Sequence, residues 1–237
     1  ISENEEEESL EQENKEQPSQ DYTLMKKAAI YILESTSEAL PRQLAVFAVC
    51  REAKRLKQWE TVLEFMQKLD PATLSEERRE WNGRHLLSDY QRWLFAVTRA
   101  QLELKLYAEC QTQAHKAMEK FPDESLHFYR WDALAQIRQG EIEKGVHQLE
   151  YINNRFPKQW YIHKDIAEAY AALGQHENAW LWFCQAASAP GDIKGRILML
   201  QAVVNLLKQM EHWREMYDHL VLVWAIQADY GNSQRIE

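Results

Sequence analysis

Apolar residues recur at helical spacing along most of the chain. Near the start, the segment "YTLMKKAAIYILES" keeps one apolar face, formed by Leu24, Ala28, Tyr31 and Ile32. This spacing is typical of an amphipathic helix, and Pro41 follows where such a helix should already have ended. We therefore predict an N-terminal capping helix within residues 21–40.

Further along, one pattern recurs with a period of about 34 residues. A small residue stands at the same place in three successive segments, at Cys110, Gly145 and Ala179, which are 35 and 34 residues apart. Each small residue follows an apolar segment of helical spacing and precedes a second one. Three segments in register indicate repeated helical hairpins, since a fixed period of 20–50 residues is typical of helical-repeat proteins.

The last of these segments, "DIAEAYAALGQHENAWLWFCQAASAP", is the most specific. Its marked positions are Ala167, Tyr170, Gly174, Ala179, Phe183, Ala186 and Pro190. This order of small, aromatic, glycine, small, aromatic and proline residues resembles the tetratricopeptide repeat (TPR). The flanking segments match less well, as terminal repeats do when they cap an exposed core.

The resemblance implies an all-α fold, a right-handed α-α superhelix (TPR-like solenoid) of about five helical hairpins with capping helices, over residues 41–230. The composition agrees, because 7 Gly and 6 Pro in 237 residues are few for a sheet protein. A long last helix at about 211–229 is expected to close the far end.

One interval is longer than the period. Val62 and Cys110, which occupy equivalent positions, are 48 residues apart, and the excess predicts an insertion loop at about 71–89. Ser88 and Asp89 are suited to cap the helix that follows. Its candidate binding residues are Arg78, Arg79, Trp81 and Arg84. An aromatic among arginines can bind protein or RNA, and plain surface decoration is the alternative.

The resemblance also implies a concave groove, lined by the first helix of each hairpin, in which the family holds extended peptides. The groove positions carried over by register are Arg51, Lys54, Arg92, Arg99, His127, Arg130, Tyr161 and Lys164. Most are basic and expected to face solvent, which favours an anionic ligand, because guanidinium groups bind carboxylates and phosphates bidentately. The alternative is that they are solvated helix faces paired with Glu four residues on.

Charge is concentrated at the start of the chain. The net charge is −9, and residues 1–20 hold eight Glu against one Lys. So acidic and weakly apolar a segment cannot offset the entropy of ordering, which predicts a disordered acidic tail at 1–20. A solvating extension without a ligand is the simplest interpretation of it.

Motifs for chemistry are missing from the sequence. The three cysteines form no C-x-x-C pair, and neither H-E-x-x-H nor a glycine-rich phosphate loop occurs. We therefore expect no cofactor, no metal and no enzymatic activity. Separated cysteines and the lack of a long apolar run favour a cytoplasmic protein. Most of the nine tryptophans are interpreted as core or inter-repeat residues.

The predicted function is a non-catalytic scaffold or adaptor that binds a partner protein or acidic peptide. The alternative is an accessory subunit of a nucleic-acid-associated complex, for example in prokaryotic defence or stress. Self-association through the last helix is left open.

Overall fold

The computed structural model describes residues 20–81 and 84–233. This part of the chain contains eleven α-helices. In chain order, α1 to α11 are Gln20–Ser35, Ala39–Arg55, Trp59–Met66, Asp89–Glu103, Tyr107–Lys120, Leu126–Arg138, Ile142–Arg155, Trp160–Ala172, His176–Ser188, Ile197–Gln209 and Trp213–Ser233. The predicted acidic tail lies outside the described residues, apart from Gln20 at the start of α1.

Five helical hairpins are closed by the same backbone turn. The residue in the left-handed region of each turn is Lys57, Lys105, Gly140, Gly174 or Glu211, with φ between 54° and 95°. The next residue donates its backbone N–H to the carbonyl five residues earlier, at 2.8–3.0 Å. This is the Schellman motif, which satisfies carbonyls left open at a helix end. The turns therefore mark the ends of α2, α4, α6, α8 and α10.

The helix after the insertion begins with a capping box. Ser88 Oγ accepts the backbone N–H of Gln91 at 3.1 Å, and the Gln91 side chain accepts the backbone N–H of Ser88 at 2.9 Å. Both residues are buried. The cap predicted at Ser88 is confirmed, and it fixes the start of α4, because two otherwise open donors are satisfied reciprocally.

The chain divides into two compact units, whose described parts are residues 20–135 and 136–233. We call them the N-terminal and C-terminal units. The core of the N-terminal unit contains Val46, Phe65, Leu94 and Phe128, all at most 1% exposed. Its small residues, among them Cys110, are equally buried. Small side chains at these positions let neighbouring helices approach closely.

In the C-terminal unit, helices α8 and α9 pack side by side. Ala167 of α8 and Ala179 of α9 are fully buried, and Phe183, Val203 and Leu206 pack around them. Gly145 of α7 is buried as well. All three small positions of the predicted register thus lie inside the cores, which confirms the register.

The segment between α3 and α4 differs from a simple loop. It begins with a 3₁₀ turn at Pro71–Thr73 and contains two antiparallel strands, β1 at Arg79–Trp81 and β2 at Arg84–Leu86, with Trp81 opposite Arg84. The sequence between the strands is Asn82-Gly83, a dipeptide strongly favoured in tight hairpins. The segment predicted as an insertion loop at about 71–89 thus contains a short two-stranded hairpin.

Across the described residues, none of the helices combines the length and the apolar character that a bilayer crossing requires.

Candidate partner-binding face

The site begins on α2, where Phe47 and Arg51 share one side of the helix because they are four residues apart. Phe47 is buried, whereas the Arg51 side chain is 79% exposed. Across from them, the guanidinium of Arg92 on α4 lies 4.1 Å from the centroid of the Phe47 ring. Arg51 and Arg92 therefore lie on the same side of the α2–α4 pair.

Helix α4 carries this surface on towards α6. Arg92, Phe95 and Arg99 are spaced at i, i+3 and i+7, so they follow one side of α4. The Phe95 ring lies 5.7 Å from the ring of His127 and 5.4 Å, edge to face, from that of Trp131. Together with the Phe47–Arg92 contact, they join α2, α4 and α6. We call this surface the basic–aromatic face; it comprises Phe47, Arg51, Arg92, Phe95, Arg99, His127, Arg130 and Trp131.

The exposed fraction of the arginine side chains decreases along the face, from Arg51 to Arg130. Arg51 is largely exposed and the Arg92 side chain is 44% exposed, whereas that of Arg99 is 18% exposed. Arg130 is buried. The charge available to a ligand is therefore concentrated on Arg51 and Arg92.

Ion pairs within the helices neutralise part of the positive charge of this face. Arg99 pairs with Glu103 at 3.2 Å, and Arg92 lies 3.3 Å from Asp89. The Arg99 pair has the i, i+4 geometry that the alternative interpretation proposed. Arg51 is 3.8 Å from Glu52, a long contact on a mostly exposed side chain. An exposed pair of this kind contributes only about 0–1 kcal/mol, so Arg51 can exchange it for a ligand's carboxylate. Asp89 is buried, so Arg92 keeps its ion pair and offers the other N–H groups of its guanidinium to a ligand.

His127 and Arg130 do not face solvent, which corrects the expectation for the groove residues. Burial, together with the nearby charges of Arg130 and Arg99, lowers the pKa of His127 to about 3. The imidazole is thus neutral at physiological pH. The His127 imidazole is enclosed because the aromatic rings of Phe95 and Trp131 pack beside it.

The two groove residues predicted in the C-terminal unit, Tyr161 and Lys164, also contact neighbouring side chains. Tyr161 is buried with its ring nearly perpendicular to that of Trp160, at 82°. Lys164 lies 3.3 Å from Asp165 and 3.4 Å from Glu168. Lys54 of the N-terminal unit is half-buried on α2. None of these three offers an exposed charge comparable to that of Arg51.

The insertion is anchored at its base. The backbone N–H of Tyr90 donates to the carbonyl of Ser75 at 3.0 Å, and Lys120 forms a salt bridge with Glu76. The Lys120 ammonium also lies 4.5 Å from the Tyr90 ring centroid. Arg78 is exposed beside this base, while Arg79, Trp81 and Arg84 stand on the two strands.

Sequence reasoning missed the aromatic residues of the face. Phe47 stands four residues before Arg51, and Phe95 lies between Arg92 and Arg99 at helical spacing; this alternation of ring and guanidinium on one helix side is the signal that could have found them. Trp131 completes the set, and its buried indole N–H has no hydrogen-bond partner among the described residues. Two other tryptophans, Trp213 and Trp224, are exposed rather than buried as the sequence predicted for most of them.

The fold was compared with known proteins. No protein-family model and no curated protein matches the chain. Among solved structures, a tetratricopeptide repeat protein from Parabacteroides merdae ATCC 43184 is similar at a TM-score of 0.64 and 11% identity, covering 87% of this chain and 73% of that one.

Two further structures are similar at a TM-score of 0.50. One is the "MamA RS-1 ArsTM double mutant", at 12% identity over 90% of this chain and 98% of the other. The second is a Q17M structure of nearly identical TPR-like repeats of a kinesin light chain from Podosopora anserina, at 15% identity over 90% and 97%. The chain therefore has an all-α, TPR-like helical-repeat fold, as the sequence predicted.

Proposed function

We propose that this chain is a non-catalytic scaffold that holds an acidic segment of a partner protein on the basic–aromatic face. The observation that carries the proposal is the position of Arg92, whose guanidinium covers Phe47 while remaining half-exposed beside the exposed Arg51. Two accessible guanidiniums on α2 and α4 match a ligand that carries carboxylates.

Energetics favour this kind of ligand. A guanidinium already held over a ring has lost part of its rotamer freedom, so less entropy is lost when it binds a carboxylate. Charge-assisted hydrogen bonds contribute about 1.5–3 kcal/mol each. Two of them supply the affinity of a moderate, reversible interaction, which suits a scaffold.

Non-catalytic function is supported by the state of the histidine at this face. His127 is buried with a pKa lowered to about 3, which makes it a poor general base at neutral pH. The TPR-like fold of the similar solved structures is consistent with a binding role.

The test uses the full chain and a fluorescein-labelled peptide rich in Asp, Glu and Leu. Its comparison peptide has Asn and Gln at every acidic position. Fluorescence anisotropy should show binding of the acidic peptide alone, and Arg51→Gln with Arg92→Gln should weaken it by about 100- to 10,000-fold, because two charge-assisted bonds together contribute about 3–6 kcal/mol. A matched variant, Lys27→Gln with Lys116→Gln, removes two exposed charges from α1 and α5. It should bind like the unaltered chain.

Four results would decide against the proposal. Equal affinity for the acidic and the neutral peptide would show that binding does not depend on the ligand's charge. Equal weakening in the Arg51/Arg92 and the Lys27/Lys116 variants would show that only the net charge of the chain matters. Tighter binding of a labelled single-stranded RNA, lost in the Arg51/Arg92 variant, would instead support the nucleic-acid-associated alternative. Loss of peptide binding only when Arg78, Arg79 and Trp81 are replaced by Ala would move the site to the insertion.

A further inference from the structure

Helix α11 is apolar on two sides. One side packs into the core of the C-terminal unit through Val223, with Met216 and Ile226 beside it. The second side is exposed and consists of Trp213, Tyr217, Leu220, Val221 and Trp224. We call these five residues the α11 stripe.

The stripe is continuous along the helix. Its residues are spaced at i, i+4, i+7, i+8 and i+11, which keeps them on one side over three turns. Trp224 is 70% exposed and Tyr217 is 64% exposed. A helix that is apolar on opposite sides is typical of one covered by protein on both, and an exposed apolar patch of this size marks an interaction site.

We infer that the α11 stripe is a self-association surface, on which the α11 helices of two copies pack antiparallel. The stripe is close to self-complementary in this direction, because bulky aromatic residues stand at its ends and aliphatic ones near its middle. Antiparallel pairing sets Trp213 of one copy beside Trp224 of the other, and Tyr217 beside Leu220. One surface then serves both copies, as a two-fold dimer requires.

The available area is of the right order for a dimer. Fully burying an aromatic side chain covers about 150–250 Å², and a stable interface needs about 800 Å² from each partner. Trp213, Tyr217 and Trp224 are each more than half exposed. Together with the two aliphatic residues they supply much of that area. This inference does not depend on what binds the basic–aromatic face.

The first experiment measures mass. Sedimentation equilibrium of the full chain should show a concentration-dependent shift from 28.1 kDa to twice that mass. Tyr217→Glu with Trp224→Glu should remain monomeric, with unchanged helical circular dichroism, because both side chains are exposed in one copy. Leu24→Glu with Tyr31→Glu, which places the same charges on exposed apolar positions of α1, should still dimerise.

The second experiment tests direction and does not require the Glu variants to fold. In a Cys184→Ser background, which removes the exposed thiol, one preparation carries Trp213→Cys and another Trp224→Cys. Oxidation of the mixture should cross-link one copy of each, with far less cross-linking in either preparation alone.

A monomer at every concentration would overturn the inference and leave the stripe to a different protein. So would a dimer that survives the stripe variant, or cross-linking of Trp213→Cys with itself, which requires parallel helices.

Discussion

Arg92 lies with its guanidinium 4.1 Å from the ring centroid of Phe47, and this contact joins α4 to α2 across the first two hairpins. Asp89, one turn earlier on α4, is 3.3 Å from the same guanidinium. The arginine is therefore held by a ring and a carboxylate, while 44% of its side chain stays accessible. The residue proposed to bind the ligand therefore also makes contacts that contribute to stability.

The contribution of this contact to stability should be small and measurable. Arg92→Ala removes the cation–π interaction, which is worth about 0.5–1 kcal/mol at an exposed site. A double-mutant cycle with Phe47→Leu, followed by urea unfolding, should give a coupling free energy of that size. Additive effects of the two substitutions would show that the ring and the guanidinium do not interact.

Acid should destabilise the fold through His127. Its pKa is about 3 in the folded chain against an ordinary 6.5, so between these values the unfolded chain binds one more proton than the folded chain. Stability is therefore lost as pH falls through 6.5 towards 3, by up to about 1.4 kcal/mol per pH unit.

Replacement of this histidine should reduce the pH dependence. His127→Gln removes the titrating group, so the unaltered chain should lose about 2 kcal/mol more than this variant between pH 7 and pH 5 in urea unfolding. His212→Gln, at an exposed position, is the control and should keep the slope. Parallel curves for the unaltered chain and His127→Gln would contradict the assignment.

The close approach of helices in the C-terminal unit should not tolerate a large side chain. Ala179 of α9 is fully buried, and Ala179→Trp should lower stability by at least about 1–3 kcal/mol through overpacking. Cys184→Trp adds an indole to an exposed position of the same helix and should leave melting nearly unchanged. Equal melting temperatures for the two variants would contradict the packing described for Ala179.

Gly174, in the α8–α9 turn, should be required for its left-handed backbone conformation and not because space is lacking for a side chain. Gly174 has a φ of 72°, and an added Cβ would meet no atom within 4 Å. Gly174→Ala should thus cost about 1–2 kcal/mol from backbone strain, without any clash. Gly195→Ala is the matched control, because its Cβ would lie at an ordinary 3.8 Å from Trp160 and its backbone is not left-handed. A melting comparison in which both variants behave alike would exclude the strain.

The fold was predicted from the period of about 34 residues in the sequence. Cys110, Gly145 and Ala179 gave the hairpin register, because a small residue is required wherever two helices meet closely, and all three are buried. The two strands beside Asn82-Gly83 were missed because a long-range helical period gives no information on an insertion that interrupts it.

The repeat register could not predict how deeply each side chain of the candidate site is buried. His127 and Arg51 were both predicted to line the groove, yet His127 is buried and Arg51 is exposed. The difference comes from the aromatic rings of Phe95 and Trp131, which enclose the α6 side of the face. A repeat register specifies which side of a helix a residue occupies, and the neighbouring side chains decide how deeply it is buried.

The five Schellman turns have a consequence for how such a chain can lengthen. Each turn is closed by hydrogen bonds among its own few residues, whether its left-handed position holds Lys, Gly or Glu. Successive turns are 48, 35, 34 and 37 residues apart, at Lys57, Lys105, Gly140, Gly174 and Glu211. Repeat length is therefore set anew at every hairpin, so evolution can add residues between two hairpins, as between α3 and α4, without disturbing how either one closes.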